Sequence, residues 1–189
     1  MHCERLDHRS MPSNKDGFDG EYSELLLLDS QVLRNPDEFF AARLGSNAAK
    51  NRYPTAALPN ESTRVRLRPL TKRGDGDYIN ANFIDAKKLF GAPFTYIACQ
   101  APLPSTVGDF WRMVEDTNVH YIVMLTALVE GGRVKSHRYW PATIHETEIY
   151  GTISVTLLSE NIRPESTYRT MVMKSGPHER LVQHYCYTG

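Results

Sequence analysis

The 189-residue chain has little of what several classes of protein require. Its three cysteines, Cys3, Cys99 and Cys186, are too few and too scattered for a disulfide framework or a structural zinc site. Its 22 basic and 22 acidic residues balance, whereas a nucleic-acid binder carries a basic excess. No apolar run reaches the length of about 18 residues that spans a bilayer, and the N-terminus lacks the apolar core of a secretory signal. These absences predict a cytoplasmic protein without a membrane span, a metal or a cofactor.

The residues that are present predict one α+β domain behind a polar N-terminal segment. Hydrophobic residues make up 41% of the chain, which is enough for a substantial core. Residues 1–20 are polar and rich in turn formers, so we expect a poorly ordered tail. Residues 21–189 contain no linker and no repeat, and they predict a mixed, twisted sheet flanked by helices.

Three segments have helical patterns. Residues 21–33 have a helical composition. A second helix is predicted with Asn35 as its cap, Pro36 at its first position and Gly45 at its end. A third helix is predicted after Thr106, which is expected to cap it, because apolar residues recur there with helical spacing and place Trp111 in the core.

The remaining patterns indicate strands and turns. Alternating residues predict strands near 65–67, 78–83 and 93–100 and three more strands after residue 148. Residues 120–129 form a continuous apolar run, which is typical of a strand buried on both faces of a sheet. The pair Gly131–Gly132 predicts a tight turn after this run.

Eight segments, in order along the chain, resemble motifs of the classical, phosphotyrosine-specific protein tyrosine phosphatases. Any one of them is a weak signal, whereas eight in order at compatible spacings are specific. The resemblance covers residues 50–189 and implies the mixed sheet of that family. The segments are KNRYP at 50–54, RVRL at 64–67, DYINANFI at 77–84, YIACQAPLPST at 96–106, DFWRMV at 109–114, IVMLT at 122–126, GRVKSHRYWP at 132–141 and HYCYTG at 184–189.

This resemblance implies roles for four residues near an active site. The ring of Tyr53 is expected to form a wall of the slot that receives phosphotyrosine. Thr55 occupies a position where the family often has an aspartate that binds the substrate backbone, and threonine brings a hydrogen bond without the charge. Glu130 and Lys135 match a loop beside the active site, where the glutamate orients an arginine and the lysine contacts the acid loop. The implied partners are phosphotyrosine-containing proteins or peptides, bound by a monomer.

The family's catalytic set is not found at the matching end of this sequence. In the family, the segment like Arg180–Tyr187 leads into a Trp-Pro-Asp loop that holds the general acid, and a later His-Cys-x5-Arg loop holds the nucleophile and the phosphate-binding arginine. A thiolate, a cradle of N–H donors and an acid are all needed for hydrolysis. We therefore expect an incomplete domain, with its C-terminal part missing, that is inactive alone.

Two other functions remain open from the sequence. The chain is alternatively a non-catalytic phosphotyrosine-binding or scaffold protein that keeps the Tyr53 loop (residues 50–54). In addition, Cys3 and Arg9 literally satisfy a Cys-x5-Arg pattern. That segment contains no glycine to let backbone N–H groups converge on phosphate, and Glu4 and Asp7 within it repel an anion, so we rank it last.

Overall fold

The computed structural model describes residues 17–32, 36–55, 57–69 and 76–187, and the chain divides into two compact units, 1–40 and 41–189. In the first unit, helix α1 (Gly17–Val32) precedes a 3-10 turn (Pro36–Phe39). The helix begins before the predicted tail boundary at residue 20, so the end of the predicted tail is helical. The candidate pair Cys3 and Arg9 lies outside the described residues. Among the described helices, none has both the length and the apolar character to cross a bilayer.

The single helix predicted to end at Gly45 is instead broken into short pieces. After the 3-10 turn come α2 (Phe40–Arg43) and α3 (Gly45–Ala48). Helix α2 ends at Arg43, two residues before Gly45, as predicted, whereas the second helix that starts at Gly45 was not predicted. The carbonyl oxygen of Leu44 accepts hydrogen bonds from the N–H groups of Asn47 at 2.8 Å and Ala48 at 3.1 Å, which continues the chain into another helical turn. The predicted cap, Asn35, lies outside the described residues.

The described residues of the second unit form three sheets. One is antiparallel, in the order β1-β2-β3, and one is a two-stranded hairpin, β5-β6. The largest has the order β4-β10-β9-β8-β7; β4 runs parallel to β10 and the other pairs are antiparallel, so the predicted mixed sheet is confirmed. The strands are β1 (Arg64–Arg66), β2 (Tyr78–Asp85), β3 (Thr95–Cys99), β4 (Tyr121–Met124), β5 (Val129–Glu130), β6 (Arg133–Val134), β7 (Thr147–Tyr150), β8 (Ile153–Arg163), β9 (Ser166–Ser175) and β10 (His178–Tyr187), and α4 (Ala86–Phe90) and α5 (Val107–Asp116) complete the unit.

Helix α5 provides the centre of the core, as its apolar spacing predicted. Trp111 is 0% exposed, its indole N–H donates to the carbonyl of Tyr139 at 2.8 Å, and its ring stacks on Tyr150 with centroids 6.0 Å apart. The predicted capping bond of Thr106 is absent from the described contacts. Its hydroxyl accepts from the N–H of Leu103 at 2.9 Å instead, because the chain turns tightly before the helix starts.

Strand β4 differs from the prediction of burial on both faces. It covers four residues at the edge of the five-stranded sheet, and burial alternates along it. Tyr121 is 68% and Val123 is 64% exposed, whereas Ile122 and Met124 pack into the core. A continuous apolar run therefore does not by itself report two buried faces, because only tertiary packing decides which face is covered.

A buried histidine lies on the core side of β10. His184 is 0% exposed, its Nε2 lies 2.9 Å from the hydroxyl of Tyr139, and its Nδ1 lies 3.4 Å from Nη1 of Arg169. An arginine only donates, so Nδ1 accepts from Arg169 and Nε2 carries the proton that Tyr139 accepts. Burial, and secondarily the charge of Arg169, lowers the pKa of His184 to about 3.

We expect this histidine to make the protein less stable in mild acid. Its folded pKa lies below the unfolded value of about 6.5, so between pH 3 and pH 6.5 the unfolded chain binds more protons. The free energy of unfolding then falls by up to about 1.4 kcal/mol per pH unit as pH drops below 6.5. Urea titrations at pH 7.0 and 5.5 measure this loss. His184→Gln should reduce it, and His178→Gln, at an exposed histidine of the same strand, should leave it unchanged.

Candidate functional site

The segment Lys50–Tyr53 is held by a buried polar cluster around Asn51. The side-chain oxygen of Asn51 accepts from the hydroxyl of Tyr78 at 2.5 Å and from the amide of Asn80 at 3.1 Å. Its amide donates to the carbonyl of Ala42 at 3.0 Å. Burial raises the pKa of Tyr78 to about 12, so this phenol remains a hydrogen-bond donor at neutral pH. Strand β2 therefore fixes the middle of the segment.

The residues on either side of Asn51 are fixed by other elements. The ammonium of Lys50 forms an ion pair with Asp109 of α5 at 2.9 Å. The side chain of Gln100 binds the backbone on both sides of Asn51. It donates to the carbonyl of Lys50 at 2.7 Å and accepts from the N–H of Arg52 at 2.8 Å. These contacts hold the segment from β2, α5 and the end of β3.

Directly after this anchored segment, the chain presents its predicted binding residues to the outside. The side chain of Tyr53 is 50% exposed, and Thr55 is also exposed. In the described part of the chain no hydrogen bond joins either side chain to a neighbour. An aromatic ring and a hydroxyl are therefore exposed to solvent directly after a backbone segment that three other elements hold in place.

The other two predicted residues lie at the hairpin of β5 and β6. Gly131 and Gly132 have φ of 54° and 73°, the left-handed conformation that glycine adopts without strain and that tight hairpin turns require. Glu130 is exposed, and its carboxylate accepts from the N–H of Ala127 at 3.0 Å. The N–H of Lys135 donates to the carbonyl of Leu128 at 2.8 Å, and this bond closes the stem of the hairpin.

The two halves of the candidate site are joined indirectly. Over the described residues, no hydrogen bond or ion pair links Tyr53 or Thr55 to Glu130 or Lys135. The connection runs through Arg52, whose guanidinium reaches the carbonyl of Val134 at 3.4 Å. Arg52 and Gln100 lie in matched segments, but the sequence predicts no role for them, because their partners lie about 50 and 80 positions away along the chain.

Comparison with known proteins agrees with this architecture. Residues 47–189 match the family described as Protein-tyrosine phosphatase. The chain is 41% identical over 159 residues to mouse receptor-type tyrosine-protein phosphatase eta, covering 84% of this chain and 12% of that protein. It is 44% identical over 153 residues to tyrosine-protein phosphatase 3 of Dictyostelium discoideum, covering 79% of this chain and 15% of that protein. The chain thus spans a small part of the length of these relatives.

A solved structure is similar as well. The structure of PTPN18 in complex with HER2 phosphopeptides superimposes with a TM-score of 0.78 at 34% identity, covering 89% of this chain and 62% of that chain. The sequence match extends over more than half of the chain. The chain therefore belongs to the protein tyrosine phosphatase family, as its ordered motifs predicted.

Proposed function

We propose that these residues recognise phosphotyrosine, with Tyr53 as a wall of the binding slot. The observation that carries the proposal is an exposed tyrosine ring displayed on a backbone that Lys50, Asn51 and Arg52 anchor to three different elements. A ring on an anchored backbone can stack on the phenyl group of phosphotyrosine without the cost of first ordering that backbone. Such aromatic contacts contribute about 1 kcal/mol beyond area burial. Membership in the family, and the phosphopeptides bound to PTPN18, support the same substrate class.

The other predicted residues are assigned supporting roles around this ring. Thr55 supplies a neutral hydroxyl to the backbone of a bound peptide, which holds it less tightly than a carboxylate would. Glu130 and Lys135 border the slot from the neighbouring hairpin. We further propose a cytoplasmic, monomeric protein whose partners are phosphotyrosine-containing proteins or peptides, on the basis of its balanced charge and scattered cysteines.

We also propose that the 189 residues bind phosphotyrosine without hydrolysing it. Cysteinyl-phosphate chemistry needs a cysteine followed six positions later by an arginine, and Cys3 with Arg9 is the one such pair in this sequence. That pair lacks the glycine with which a phosphate cradle brings N–H groups together. We expect no turnover of p-nitrophenyl phosphate by purified residues 1–189. Turnover that Cys3→Ser abolishes would contradict this proposal and assign the chemistry to Cys3.

The binding proposal predicts that Tyr53→Ala weakens the affinity for a phosphotyrosine peptide by about five-fold, which corresponds to the loss of about 1 kcal/mol of stacking. Fluorescence anisotropy with a labelled peptide measures the affinity. The matched control is Tyr96→Ala, which removes a similarly exposed tyrosine from β3 and should change nothing. Equal losses in both variants, or equal affinity of the wild-type chain for phosphoserine and phosphotyrosine peptides, would overturn the assignment of Tyr53.

A further inference from the structure

The guanidinium of Arg52 lies at a junction between three segments. Its Nη2 donates to the carbonyl of Pro102 at 2.8 Å and to that of Ala101 at 3.2 Å, and its Nη1 donates to the carbonyl of Val134 at 3.4 Å. One side chain from the Tyr53 loop therefore contacts both the segment after β3 and the end of the hairpin strand β6.

The carbonyl oxygen of Pro102 is shared at this junction. Besides the guanidinium of Arg52, it accepts from the N–H of His137 at 2.9 Å. A carbonyl oxygen has two lone pairs, so both are engaged, one by the Tyr53 loop and one by the segment that follows the hairpin. The same atom thus links the hairpin to the loop.

Few other hydrogen bonds among the described residues join the hairpin to the rest of the protein. Within segment 127–137, the N–H groups of Ala127, Lys135 and Ser136 all bond to acceptors of the same segment. Among the described hydrogen bonds, the two that leave this segment are His137 to Pro102 and Arg52 to Val134. Besides the packing of Leu128 against the core, this junction therefore helps to place Glu130 and Lys135 relative to Tyr53.

We propose that Arg52 is a positioning residue that sets the hairpin Val129–Val134 against the Tyr53 loop, so that the two sides of the phosphotyrosine slot move as one piece. The inference rests on the proposed function. Its physical basis is the planar fork of the guanidinium, which donates in several directions at once, whereas the compact ammonium of lysine spans such a set of carbonyls poorly. Hydrogen bonds from a charged donor also contribute more than neutral ones.

The test is to measure backbone amide hydrogen exchange of residues 1–189 by NMR, without any peptide. In Arg52→Met we expect the amide of His137, and those of Lys135 and Ser136 in the stem, to exchange about ten-fold faster, because the junction opens more often. The matched control is Lys50→Met. It removes a charged anchor from the same loop, but that anchor binds Asp109 and does not touch the hairpin, so the hairpin amides should exchange as in the wild type.

The outcomes separate the positioning role from general loosening. Unchanged exchange in Arg52→Met, or equal acceleration in both variants, overturns the proposal. If Arg52→Met does not fold, Arg52→Lys takes its place. The hairpin amides of Arg52→Lys should still exchange faster than those of Lys50→Met. Arg52→Met should also weaken binding of the phosphotyrosine peptide, and wild-type affinity in a variant with a loosened hairpin overturns the positioning role. If the wild-type chain binds no phosphotyrosine peptide while the exchange result stands, the proposed function fails and the junction does not.

Discussion

Trp111→Ala is expected to lower the free energy of unfolding by about 4 kcal/mol, the largest loss we predict for a single side chain in this protein. The indole is fully buried at the centre of α5. It contacts Phe110 edge to face at 5.8 Å between centroids and stacks on Tyr150 of β7. Truncation to alanine removes these contacts, leaves a cavity, and removes the donor to the buried carbonyl of Tyr139.

Urea unfolding followed by far-UV circular dichroism measures this loss, since removing a tryptophan alters the fluorescence signal itself. Trp111→Phe serves as the control. It retains an aromatic ring but loses the indole N–H, so we expect a smaller loss of about 2 kcal/mol. A loss of less than about 1.5 kcal/mol in Trp111→Ala would mean that this side chain does not organise the core as its contacts indicate.

Asn51→Ala is expected to cost about 3 kcal/mol, although it removes only a small polar side chain. The variant leaves the hydroxyl of Tyr78 and the carbonyl of Ala42 without the Asn51 side chain as their partner in a buried site. It also removes one acceptor of the Asn80 amide, which keeps its bond to the carbonyl of Ala57 at 3.1 Å. A buried polar group without a hydrogen bond costs about 1–3 kcal/mol, and water is poorly placed to replace a partner in such a site.

A double-mutant cycle with Tyr78→Phe isolates the bond between Asn51 and Tyr78. Tyr78→Phe removes a hydroxyl while leaving Asn51 bonded to Asn80, so we expect a loss of about 1 kcal/mol. The double variant should lose less than the sum of the two single losses, because the same hydrogen bond is absent in both. Strictly additive losses would show that the two side chains act independently and that Tyr78 does not hold the Tyr53 segment through Asn51.

Elements with a local sequence signal were predicted, whereas elements without one were missed. The structure has four strands, β7 to β10, where three were predicted after residue 148, because a turn at Gly151 divides the first predicted segment in two. The alternating residues of β8, β9 and β10 predicted strands correctly, because that signal is local. The helix that carries Trp111 was predicted for the same reason. The short helix α3 was not predicted, because a glycine at position 45 is compatible with both the end of one helix and the start of the next.

The sequence by itself determined the family and the mixed α+β architecture, since ordered motifs and short-range periodicity are properties of neighbouring residues. Tertiary structure alone decided which face of β4 is covered and how Asn51, Gln100 and Arg52 hold the Tyr53 segment. These features depend on partners tens of residues away along the chain. A side chain's hydrogen bonds and burial are set by what folding brings next to it, and no local pattern records that.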